Sequence, residues 1–208
     1  MGSPATTTRI VATLVGIAYA VVLYVSGVHL QDGAKKIVAY LPAIATLLLA
    51  VWDLWLWRLP GVQRFAKRPW ITGTWSVNLR PTDDSHIPEG GNRGPIEAYI
   101  IVTQSYWSIS VRQYTAESRS ESQTAVWSKT SGGNLLTFIY ANRPMQELEA
   151  RSRPHFGATT LDLVGLRPSS ITGEYFTDRY TKGDMQLRLV DRSTDHADFA
   201  STRAHCDE

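Results

Sequence analysis

The five histidines of the chain, His29, His86, His155, His196 and His205, are the side chains that would carry acid–base or metal chemistry near neutral pH. Their spacing argues against both. There is no HExxH pair to hold a metal on one helix face, and no serine sits on a glycine-flanked nucleophile elbow. Asp83 and Asp84 adjoin in a polar loop, where two carboxylates are simply solvated. His196, His205 and Cys206 fall in the segment DHADFASTRAHC, whose composition reads as disordered, so no metal site is expected there. The sequence therefore points to no catalytic residue, no metal and no enzyme.

Binding chemistry is better represented. From Arg58 onward the chain holds 18 Lys and Arg against 17 Asp and Glu, a balance that excludes a coat for a DNA or RNA polymer. Only Lys67, Lys129 and Lys182 of those cations are lysines. Arginine is the better planar, bidentate partner for phosphate or carboxylate. The residues singled out for ligand contact are Gln113, Thr115, Tyr175, Thr177 and Arg179. They continue the inward face of two strands beyond its apolar part. Arg80 and Arg112 fall on the opposite, outward parity.

The elements that must position these groups are strands. Alternating patterns begin at Ile71 and recur at Pro95–Gln104, Tyr106–Thr115, Glu121–Lys129, Asn134–Ala141, His155–Leu166, Ser170–Arg179 and Gly183–Val190. SGGN at Ser131 and TKGD at Thr181 make hairpin turns. Eight such strands with short polar links predict an antiparallel up-and-down, lipocalin-like barrel over residues 70–192, which closes without leaving edges. Gly73, Trp75, Val77 and Leu79 share one face of the first strand, Gly157, Thr159, Leu161 and Leu163 one face of the sixth, and Met185, Leu187 and Leu189 one face of the eighth. Faces that pass from apolar to polar outline a pocket open at one end. The loop Thr82–Gly94 is long enough to act as its lid.

Ahead of the strands lie two apolar runs of 21 residues, Ile10–Leu30 and Ile37–Trp57, joined by QDGAKK. As helices each would span about 31 Å, the thickness of a bilayer core. The expectation is a two-helix transmembrane hairpin over residues 1–57, then a basic juxtamembrane linker over 58–69, with residues 193–208 a disordered tail. Arg9, Arg58, Arg64, Lys67 and Arg68 on one side, against Lys35 and Lys36 on the other, place both termini in the cytoplasm. Trp52, Trp55 and Trp57 suit an interfacial belt. Ala12, Gly16 and Ala20, four apart on one face, fit either self-association or close packing of the two helices on each other. Asp53, a carboxylate in an apolar run, is a functional candidate by default, although its nearness to Arg58 offers a plainer account. The single cysteine, Cys206, permits no internal disulfide and fits a reducing compartment.

Gly73-Thr74-Trp75 resembles the Gly-x-Trp opening of lipocalin-like barrels, where the tryptophan plugs the closed end. With the two apolar runs and with ITGEYFTDRYTKGDMQL at Ile171–Leu187, the chain resembles the two-transmembrane, β-strand-rich effectors of bacterial CBASS anti-phage defence. That resemblance implies an inner-membrane protein whose cytoplasmic barrel binds a cyclic dinucleotide as activating ligand, with no further cofactor. It also implies partners: the second messenger, the lipid bilayer, and other copies of the chain, assembly leading to membrane disruption and cell death. Two other readings remain open at this point. One is a membrane-tethered carrier of an apolar small molecule; the other is a structural subunit of a membrane complex.

Overall fold

The computed structural model describes residues 4–25, 33–87, 89, 91–148, 152–196 and 198–207. They divide into two compact units, one running to Ala66 and including Ser105–Ser108, the other comprising Lys67–Gln104 and Ile109 onward.

The first unit is helical: α1 (Pro4–Val25), α2 (Gly33–Leu54), a 3-10 turn at Leu56–Arg58 and α3 (Pro60–Ala66). Proline opens α3 at the position where its missing N–H costs nothing. Gly16 is buried, with Ala12 and Ala20 partly so. The absent side chain of Gly16 leaves room for Thr46 Oγ1 and for the backbone of Ala43 and Pro42. At Gly16 this face meets α2.

The transmembrane hairpin is corrected. Among the described residues, no helix is long and apolar enough to cross a membrane. The apolar runs and the helices do not coincide. α1 begins at Pro4, carries polar Thr6, Thr7, Thr8 and Arg9 in its first turns and ends at Val25, so its apolar part is about 24 Å long. α2 ends at Leu54, and the chain turns there instead of continuing helically to Trp57. Trp57 and Asp53 are both fully buried, against protein. Of the expected tryptophan belt only Trp55 is exposed. His29 and the Gln31–Asp32 start of the connecting turn lie outside the described residues.

Asp53 is held by the turn Ser105–Ser108. The Tyr106 N–H donates to the Asp53 carbonyl at 2.9 Å and the Trp107 N–H to Asp53 Oδ1 at 3.0 Å. Trp57 Nε1 donates to the same carbonyl at 3.1 Å. The Tyr106 ring packs edge-on against Trp52 and Trp57, with centroids at 5.5 and 5.9 Å. The carboxylate in the apolar run is a structural acceptor for a turn. Arg58 reaches the Leu54 carbonyl, and burial lowers its pKa against the pull of Asp53.

The second unit is the expected barrel. β1 (Gly73–Pro81), β2 (Ile96–Gln104), β3 (Ile109–Thr115), β4 (Ser118–Lys129), β5 (Asn134–Pro144), β6 (His155–Leu163), β7 (Ser170–Thr177) and β8 (Lys182–Asp191) pair in sequence order, and β1 pairs β8 to close the ring. Every pairing is antiparallel. The inward faces read from alternation hold: Gly73, Trp75, Val77 and Leu79 are buried, as are Gly157, Thr159, Leu161, Leu163, Met185 and Leu187. Trp75 is wholly enclosed, and its Nε1 donates to the Ile71 carbonyl at 2.9 Å. Gly73 has φ +136°, and a Cβ there would stand 2.3 Å from the Asp191 carbonyl oxygen, so only glycine lets β1 meet the end of β8. Arg192 fastens the same region, donating to the Thr72 carbonyl at 2.8 Å and stacking over Trp70.

The polar tail is also corrected. Residues Phe199–Asp207 form helix α4. Asp198 caps it, its Oδ1 accepting from the Ser201 N–H at 2.7 Å; that bond holds the Asp198 pKa below its ordinary value. The tail leading to α4 is fastened along the barrel, Thr74 Oγ1 donating to the Ser193 carbonyl and Arg112 to that of Thr194.

Candidate functional site

The inward positions of β3, β5, β6 and β7 turn polar toward one barrel end. There they surround a cavity of about 820 Å³, within the range of small-ligand sites. All five residues singled out from the sequence, Gln113, Thr115, Tyr175, Thr177 and Arg179, line it. Gln113 and Thr115 end β3; Tyr175 and Thr177 end β7; Arg179 follows two residues on. Arg80 is exposed and Arg112 faces the tail, as their parity predicted. Ala12, Gly16, Ala20 and Asp53 belong to the helical unit and contribute nothing to this cavity.

Sequence reasoning missed more of the wall than it found. Ser118, Ser120, Tyr140, Asn142, His155 and Thr159 also line the cavity, as do Phe199 and Arg203 of α4. Thr159 is on the inward face read from the sequence but was not singled out for ligand contact. Ser118, Ser120 and Asn142 were missed because β4 starts earlier, and β5 ends later, than their apolar patterns suggested. Phe199 and Arg203 lay in the segment read as disordered. The loop after β1 contributes His86, Ile87, Glu89 and Asn92, and is tied down by the His86 N–H to the Tyr180 carbonyl and the Lys182 N–H to Ser85 Oγ, each at 3.0 Å.

The polar groups are positioned by one another. Asn142 Nδ2 donates to Ser118 Oγ at 3.0 Å and Ser120 Oγ at 2.9 Å. Thr177 Oγ1 lies 2.6 Å from Thr181 Oγ1, and Arg179 donates through Nη1 to Ser152 Oγ at 3.1 Å. Three buried atoms on the wall have no partner among the described residues: Asn142 Oδ1, Thr159 Oγ1 and Arg179 Nε. A buried polar group without a partner costs about 1–3 kcal/mol. All three belong to residues that line this one cavity.

Electrostatics favours neutral rings beside a fixed cation. Burial pushes the Tyr175 phenol up to about 12, and that of Tyr140 further still. Both remain protonated donors with uncharged faces for stacking. Burial, with Arg179 nearby, lowers the pKa of His155. The cavity thus offers a guanidinium, hydroxyl and amide groups, and aromatic rings. That set suits a ligand with both anionic oxygens and flat rings.

Residues 66–189 match a protein family described as Cap15, cyclic dinucleotide receptor domain. The chain belongs to the Cap15 cyclic dinucleotide receptor domain family. It is also similar to CD-NTase-associated protein 15 of Staphylococcus schleiferi, at 25% identity over 174 residues, covering 84% of this chain and 90% of that protein. The Cap15 match takes in β1 to β7, β8 as far as Leu189, and all five sequence-predicted contact residues. It ends before α4, so Phe199 and Arg203 lie outside the matched span.

Proposed function

We propose that this protein is a CBASS effector that takes a cyclic dinucleotide into the barrel cavity, and that the occupied form self-associates and disrupts the inner membrane, killing the infected cell. The observation that carries the reading is the unpartnered trio of Asn142 Oδ1, Thr159 Oγ1 and Arg179 Nε on the wall of a cavity of about 820 Å³, in a chain of the Cap15 family. In this assignment Arg179 meets a phosphate, Tyr140 and Tyr175 stack on bases, and Gln113, Thr115 and Thr177 fix orientation. A carrier of an apolar molecule would have no use for a polar wall of this kind.

Assembly and membrane action are supported by the helical unit. α1 leaves Ile10, Leu14, Val15, Ile17, Val21 and Val22 more than half exposed, and α2 does the same with Leu41, Leu47, Leu48 and Leu49. Faces of this kind are covered by lipid tails or by another copy. A ligand that favours the assembled state shifts the population toward it. The test adds a panel of cyclic dinucleotides to the full chain with dye-filled phospholipid vesicles. One member should raise the particle mass by light scattering and release dye. If mass and dye retention stay constant with every member, the proposal fails.

A further inference from the structure

The end of β8, the tail and α4 bring together three side chains that the cavity does not use. Asp191 closes β8, His196 stands in the tail, and His205 is in the last turn of α4. One ligand atom from each lies within 4.8 Å of the other two. We propose that Asp191, His196 and His205 bind a divalent transition-metal ion of the zinc type, which fastens α4 to the end of β8.

The geometry supports the site on four counts. Asp191 is already oriented: its Oδ1 accepts from the Ser193 N–H at 2.9 Å, and its Oδ2 lies 2.5 Å from His205 Nε2. The two imidazoles face each other, with centroids 4.8 Å apart and planes inclined by 37°. His196 Nε2 is shielded from solvent and has no hydrogen-bond partner among the described residues. The ligand atoms bracket the separation of roughly 3.3 Å between neighbouring ligands of a tetrahedral ion with bonds of about 2.0–2.1 Å. A shift of about 1 Å in a terminal helix would complete the arrangement.

The donor set selects the ion. Two imidazoles and one carboxylate suit zinc and its neighbours, whereas magnesium and calcium demand oxygen ligands. Three protein ligands leave a fourth position for water. The structural consequence is local. A nine-residue helix is marginal by itself; α4 has its Asp198 cap and the contact of Phe199 with Tyr99, centroids 5.3 Å apart, at its start. A metal ion would fix the other end. The plainer alternative is a bare Asp191–His205 ion pair, which needs no metal and no His196.

The test titrates zinc alone, then magnesium alone, into the untagged, chelator-treated full-length chain, with amide hydrogen exchange as a second readout. The expected result is about one zinc per chain, no magnesium uptake, and slower exchange across residues 199–207. Affinity should fall by about tenfold or more in His196→Ala and in His205→Ala, with the far-ultraviolet circular dichroism of the barrel retained. A wild-type chain that takes up no zinc, or either variant keeping wild-type affinity, overturns the site.

Discussion

Tyr140 and Gly157 are register partners across β5 and β6, and the tyrosine ring fills the space that a side chain at 157 would need. A Cβ there would stand 2.3 Å from Tyr140 Cζ and 2.4 Å from its hydroxyl. The glycine lets an aromatic ring lie across the neighbouring strand and become cavity wall. Gly157→Ala should therefore displace Tyr140 and weaken ligand binding, at a stability cost of about 1–3 kcal/mol for overpacking. Calorimetric titration together with denaturant unfolding separates the two effects.

Trp75 should act on stability alone. Trp75→Phe leaves the Ile71 carbonyl without its donor and a void where the indole stood. The expected loss is about 2–4 kcal/mol, read as a lower urea midpoint at unchanged slope. A midpoint equal to wild type would show that the tryptophan does not plug the barrel.

His155 makes stability depend on pH. Its folded pKa lies below the ordinary 6.5, chiefly through burial, so the unfolded chain takes up the proton first. Where the unfolded state binds more protons, stability rises with pH. The contribution is complete above about 6.5 and is lost as pH falls from there to the folded value. His155→Gln should flatten that slope in urea midpoints measured between pH 7.5 and 5. An unchanged slope would assign it to other groups.

Asp53 should behave as a turn anchor. Asp53→Ala removes the acceptor of the Trp107 N–H but keeps the backbone carbonyl that serves Tyr106. The amide of Trp107 should exchange faster with solvent while that of Tyr106 stays protected, with a stability loss of about 1–3 kcal/mol. Equal protection of both amides in the variant would contradict this role.

The barrel was legible because period-two alternation survives in strands with one face inward: Trp75, Val77 and Leu79, or Met185 and Leu187, mark their side unaided. The binding wall was legible only in part. Gln113, Thr115, Tyr175, Thr177 and Arg179 continue an apolar face, whereas Ser118, Ser120 and Asn142 sit in stretches with no apolar pattern to extend. One signal went unread. In β2 the run Ala98-Tyr99-Ile100-Ile101-Val102 is apolar on both faces and buried on both, so something had to cover the outside. Phe199 of α4 packs there against Tyr99, and Asp198 ahead of the helix was its capping residue. The transmembrane expectation failed on a different point. Hydropathy counts residues and does not register where a helix stops: α2 ends at Leu54, where Asp53 and Trp57 bury themselves against the sequence-distant turn Ser105–Ser108.

The most direct test of the account is a calorimetric titration of the full chain with a panel of cyclic dinucleotides, repeated on Arg179→Ala. Arg179 Nε is buried on the cavity wall without a partner among the described residues, so a ligand phosphate should find it. One member of the panel should bind at micromolar concentration or tighter, with affinity lowered by about tenfold or more in the variant, the loss of a charged hydrogen bond worth about 1.5–3 kcal/mol. No binding across the panel, or binding indifferent to Arg179, would contradict the assignment of the cavity.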